Sequence, residues 1–129
     1  MPLEDITAAV SKRGKTVYVM FDACRDNPSK MVSERLADMP AGAMFAGQPN
    51  VRLAVFSAQS GACPLDFATP ASRNGPFAEA MARAIGAGLS DVDTLLLKVR
   101  DDVVTASKGF QKPDWYRASG AGADLFRPK

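Results

Sequence analysis

Apolar residues fall along this chain in two patterns. Thr16 to Phe21, ending in Asp22, and Val51 to Ala58 carry apolar residues at odd and even positions alike. That predicts strands buried on both faces, as in a parallel sheet covered by helices on both sides. Elsewhere the apolar residues return every three or four positions. Leu3, Ile6 and Val10 define a helix over residues 3–13, with Glu4 and Asp5 in its first turn, Lys12 and Arg13 in its last, and Gly14 as a C-cap. Pro76 opens a second helix whose inner face is Phe77, Ala80, Met81, Ala84 and Ile85, stopped by Gly86 and Gly88. Ser90, with Asp93 three residues later, caps a third, with Val92, Leu95, Leu96, Val99 and Val103 on one stripe.

Between these elements the pattern weakens. Residues 28–49 predict a short helix around Val32 to Leu36 and then a small-residue stretch, Met39 to Met44. This mobile connection is longer than most loops in compact domains, which makes it a candidate functional segment. A turn-rich loop follows the second strand as far as Gly75, and the chain reads as loop from Gln111 through Trp115, with a last short strand at Ala123 to Phe126. The order helix, strand, helix or loop, strand, helix, helix, strand predicts an α/β fold with a mostly parallel sheet.

Composition narrows the functional classes. At 129 residues, 47% apolar and 23% charged, the chain is one small domain or less. The net charge of +2 comes without any Lys/Arg run that could track a phosphate backbone, so nucleic acid is not expected as a partner. No apolar stretch nears the roughly 20 residues that span a bilayer, and the first residues lack a secretory pattern. A soluble chain is expected, cytoplasmic by default, with no membrane contact. Two cysteines and no histidine supply no metal-ligand set. Neither a metal nor another cofactor is expected, and free thiols are the default, with a Cys24–Cys63 disulfide as the minor alternative.

The chemistry concentrates where the first buried run ends, in Asp22-Ala23-Cys24-Arg25-Asp26-Asn27-Pro28. Open α/β sheets hold their ligands beyond the carboxyl ends of the strands, and that is where Cys24 falls. Cysteine is also a common buried packing residue, so position alone leaves both roles open. The polar rim around it favours a nucleophile, with Arg25 nearby to support a thiolate and the Cys24 N–H available to an oxyanion. A cysteine nucleophile ordinarily needs an imidazole as base, and the sequence contains none.

Val17 to Pro28, reading VYVMFDACRDNP, resembles the cysteine motif of the caspase-like peptidases of clan CD, especially the bacterial metacaspase-like (orthocaspase) group. The resemblance continues through Leu53 to Ala62, Arg73-Asn-Gly-Pro-Phe77, and Val99-Arg100 ahead of Gln111-Lys-Pro113. It implies a caspase-like three-layer sandwich, divided into a nucleophile strand and loop (15–28), a mobile connection (29–50) and a small-subunit-like part (51–129). Cys24 then corresponds to the catalytic nucleophile. Asp22 corresponds to an acidic position lining the pocket for the residue before the scissile bond, where a buried carboxylate would favour arginine or lysine and reject acids. As an alternative, Asp22 caps the following turn.

The same resemblance aligns Gly61, Ala62, Cys63 and Asp66 with a segment that pairs with the substrate backbone as an added strand. Lys30 and Arg35 fall where relatives are often cleaved by themselves, although solvated charge also accounts for them. Trp115 and Tyr116 fit either a groove rim or the closed edge of a core. Asp91, Asp93, Asp101 and Asp102 bring to mind the calcium that some metacaspases require, but helix-end and helix-surface positions explain them without a metal. The family's His-Gly motif and first strands have no counterpart here and are expected N-terminal to Leu3, in the same chain or a partner fragment. Homodimers through the last strand are a further implication. The expected activity is cysteine endopeptidase, nearly silent without the histidine. The alternative is an inactive caspase-like module that binds peptides or partner proteins. A flavodoxin-like domain is disfavoured, because neither strand leads into a Gly-rich phosphate loop.

Overall fold

The structure is a computed structural model that describes residues 3–13, 16–22, 45, 47–59, 62, 64–65 and 71–118. Within them run α1 (Leu3–Ser11), β1 (Val17–Phe21), β2 (Val51–Phe56), α2 (Pro76–Gly86), α3 (Val92–Ala106) and β3 (Asp114–Arg117). The sheet order is β1-β2-β3, with β1 parallel to β2 and β3 antiparallel to it. This is a small α/β fold on a mixed sheet.

The central strand β2 is buried at every position but Arg52, as its unbroken apolar run requires. Leu53 and Val55 pack with Phe77, Ala80, Met81 and Ala84 of α2 and with Leu95, Leu96, Val99 and Val103 of α3. On the other face Ala54 and Phe56 join Val17, Phe21, Phe45 and Val51. A register irregularity between Val17 and Tyr18 sets Val17 opposite Val51 and Tyr18 opposite Leu53.

The first strand departs from the expected double burial. Tyr18 and Met20 share a face with Leu53 and Val55, yet they are 45% and 40% exposed. Helices α2 and α3 pack over β2 and β3, and β1, which has a strand on one side only among the described residues, keeps this face open. Among the described side chains of α1 Thr7 is buried, whereas Ile6 and Val10, two members of the expected apolar stripe, are exposed. The helix is fixed instead at its end, where the Asn50 side-chain amide donates to the Ser11 carbonyl at 2.8 Å and the Val17 N–H donates to the Asn50 carbonyl at 2.8 Å.

Chain reversals decide how the helices end. At α2, the N–H of Gly88 bonds the Ile85 carbonyl and that of Leu89 bonds the Ala84 carbonyl, while Gly88 adopts φ +81°. That paired closure needs a left-handed residue, which glycine supplies without a Cβ clash. Gly86 itself is still helical, and Ile85, expected on the inner face, is 40% exposed. α3 closes the same way at Lys108 (φ +53°) and Gly109. Its N-cap is Asp91, one residue later than expected, whose carboxylate accepts the Thr94 N–H at 2.9 Å.

Two further corrections concern the segments between elements. Phe45, near the end of the predicted mobile connection, is 2% exposed and stacks on Phe56 and Tyr116 with centroids 6.3 and 6.2 Å away. The stretch through Trp115, read as loop, contains the start of β3, paired from Phe56↔Asp114 to Leu53↔Arg117. Trp115 lies against the helix-side core and Tyr116 against the other, so both aromatics close core edges. The predicted helix at Val32 to Leu36 and strand at Ala123 to Phe126 lie outside the described residues.

Candidate active site

Because β1 and β2 are parallel, their carboxyl ends emerge at the same edge of the sheet. Phe21 pairs with Phe56, and the Ser57 N–H then donates to the Phe21 carbonyl at 2.9 Å, extending the ladder one step past the strands. Asp22 follows immediately. Its side chain is exposed, not buried as the resemblance implied; it stands at the end of β1, which has a strand on one side only among the described residues.

Cys24 lies two residues further on, outside the described residues, as do Gly61, Cys63, Asp66, Lys30 and Arg35. Ala62 is half-buried, and its N–H donates to the Gln59 carbonyl at 3.1 Å in a tight turn after β2. The topology brings Asp22 and the start of the Ala62 segment to one sheet edge.

A residue that sequence reasoning passed over anchors this edge. Gln111 is 1% exposed, and its side-chain amide donates to the Ser57 carbonyl at 2.8 Å while its Oε1 accepts the Leu65 N–H at 2.9 Å. Its backbone N–H donates to the Ser107 hydroxyl at 2.9 Å, and that hydroxyl donates back to the Gln111 carbonyl at 3.2 Å. The Ser57 hydroxyl is buried without a hydrogen-bond partner among the described residues. In sequence, Gln111 looked like one more polar residue in a loop; only its place before Pro113 within the quoted motif set it apart.

Three of the four acidic residues that suggested calcium, Asp91, Asp93 and Asp102, have protein partners. Asp91 caps α3, and hydrogen bonding from Thr94, opposed by slight desolvation and aided by the charge of Arg117, holds its carboxyl below the usual aspartate value. Asp93 takes both its oxygens to the Arg117 guanidinium at 2.7 Å, and Asp102 pairs with Lys98 at 2.7 Å. Among the described residues no group of three or more His, Cys, Asp or Glu side chains could hold a metal ion, and no helix is long and apolar enough to cross a membrane.

The family model for the caspase domain matches residues 2–122, nearly the whole chain. The chain belongs to the caspase domain family. The matched span includes β1, Cys24, the mixed sheet and both helices of the α2–α3 pair. No curated protein and no solved structure matches the chain.

Proposed function

We propose that this chain carries the nucleophile and the specificity carboxylate of a metacaspase-type cysteine endopeptidase that hydrolyses peptide bonds after arginine or lysine. The supporting observation is the place of Asp22: exposed, at the carboxyl end of β1, beside Ser57 and two residues before Cys24. A carboxylate so placed attracts a guanidinium or ammonium group and repels an acidic one. Lys30 and Arg35, downstream of Cys24, carry the side chains that such a site would cut after in its own chain.

Cys24 Sγ, as thiolate, attacks the carbonyl carbon; a C–S bond forms, and the C–N bond then breaks as the amine leaves with a proton from the imidazolium. Water, giving its proton to the imidazole, hydrolyses the thioester, and the C–S bond breaks to restore the thiolate and imidazolium. The imidazole comes from outside these residues, since the sequence holds no histidine. A place for the segment bearing it is offered by β1, whose second edge carries no strand among the described residues and whose Tyr18 and Met20 are exposed beside that edge. Pairing of two copies through Ala123 to Phe126 belongs to the same proposal.

The missing base favours one other reading, a caspase-like module that binds extended peptides without cutting them. Both readings place a basic side chain at Asp22. Fluorescence polarisation with labelled extended peptides carrying Arg, Lys or Asp at that position tests this shared element. Saturable binding of the Arg and Lys peptides and none of the Asp peptide is expected; equal binding of all three contradicts it.

A further inference from the structure

We infer that Gln111 is the positioning residue of the segment between Ser57 and Leu65, the carboxamide that holds this loop in shape for an extended peptide. The inference rests on the reading above, in which the Ala62 segment pairs with substrate.

One amide group closes both ends of the loop. Its Nε2–H donates to the Ser57 carbonyl, where β2 ends, and its Oε1 accepts the N–H of Leu65, eight residues on. Rotating the amide by half a turn would set N–H against N–H and carbonyl against carbonyl, so the two bonds fix its orientation. Ser57 and Leu65 lie 54 and 46 residues from Gln111 in sequence, so the closure is tertiary, not a feature of the local turn.

Gln111 is itself held on its other side. Its main-chain N–H and carbonyl both bond the hydroxyl of Ser107, the C-cap of α3 and itself buried. The loop is thereby referenced to α3, whose apolar stripe packs on β2. The two ends of the segment, Ser57 and Leu65, are thus tied to the same buried side chain.

Filling the space does not explain the residue type. A methionine or leucine would fill a similar volume without the desolvation that a buried amide must recover through hydrogen bonds. The carboxamide does what those side chains cannot: it bonds the backbone groups that bracket the loop. A preformed loop spares a bound peptide the entropy of ordering it.

The test uses the full chain carrying Cys24→Ala, so that only binding is read, with the labelled Arg peptide as probe. Gln111→Met keeps volume and loses both bonds; with folding checked by circular dichroism, it should bind about tenfold more weakly, because the loop must then be ordered at each encounter. Its Leu65 amide should also exchange hydrogen faster. Gln111→Glu supplies the second arm. Protonated, its carboxyl can donate to Ser57 and accept from Leu65; ionised, it faces the Ser57 carbonyl with like charge. Burial raises that carboxyl's pKa, so affinity should approach that of the Gln111 protein in mildly acidic buffer and fall as pH rises, a pH dependence in excess of any shown by the Gln111 protein. Unchanged affinity in Gln111→Met, or a Gln111→Glu deficit that ignores pH, overturns the positioning role while leaving the peptide-binding reading intact. Failure of the Gln111 protein to bind any peptide defeats that reading and this role together.

Discussion

The Ser57 N–H donates to the Phe21 carbonyl at 2.9 Å, one step beyond the last residues of β1 and β2. That bond determines where two segments leave the sheet. It sets Asp22 beside the start of the loop that holds Ala62, and through Gln111 it is tied to the end of α3. Three parts of the chain far apart in sequence thus share one sheet edge, and the predictions follow from how each is held there.

Asp22→Asn keeps size and hydrogen-bonding capacity while removing charge. In the assembled peptidase, kcat/KM for substrates cut after Arg or Lys should fall roughly 10- to 100-fold, the range of a charge-assisted pair lost at a partly solvated site. Substrates with a neutral residue at that position should change little. Equal losses for charged and neutral substrates would assign Asp22 to the turn rather than to specificity.

Phe45 is nearly fully buried and stacks on two rings. Phe45→Ala removes both contacts and leaves a cavity beside Phe56, at an expected cost of about 3–5 kcal/mol in urea-unfolding free energy. A cost under about 1 kcal/mol would mean that Phe45 is not part of the core.

Lys108 occupies the left-handed position that closes α3, with φ +53°. A Cβ there meets backbone, so Lys108→Gly should stabilise the chain by roughly 0.5–1 kcal/mol, read as a higher urea midpoint. Destabilisation would show that the helix end is held by the lysine side chain.

The Asp91 cap gives a pH signature. Its folded carboxyl titrates below the ordinary aspartate value, so its contribution is complete above the unfolded pKa of about 4 and is lost as pH falls through the lower folded value. Asp91→Ala should therefore lower the urea midpoint at neutral pH, and the gap from the parent chain should close as the pH drops well below 4. A gap that does not depend on pH would contradict the ionised cap.

Where the hydrophobic pattern is strong, the fold was legible in the sequence. The runs at Val17–Phe21 and Val51–Phe56 became strands, and the stripes of α2 and α3 became the helix-side core, because burial of whole faces leaves a periodic trace. β3 was missed for a physical reason: its adjacent aromatics serve opposite faces, Trp115 one core and Tyr116 the other, between charged residues that mimic a loop. Phe45 stands alone among small residues, and a single anchor has no period. The α3 cap moved from Ser90 to Asp91 because two good caps are adjacent and only geometry chooses between them.

The candidate site was legible in part. Asp22 and Cys24 stand in a motif that can be read directly, and the parallel register accounts for why the Asp22 end of β1 meets the segment after β2. Gln111 could not be read that way, since a buried polar residue announces itself only through partners 46 and 54 positions away. Exposure of Asp22 likewise depends on which strands flank β1, and among the described residues only β2 does, which composition does not encode.

The central claim is tested most directly by hydrolysis of fluorogenic peptides with Arg, Lys or Asp before the scissile bond. The chain and its Cys24→Ala variant are each assayed alone and with a caspase-like segment that supplies the His-Gly motif. Cleavage after Arg and Lys but not Asp, present only with both Cys24 and the histidine-bearing segment, is the expected result. Cleavage that survives Cys24→Ala, or cleavage after Asp in preference to Arg, would contradict a basic-specific cysteine peptidase built on Cys24 and Asp22.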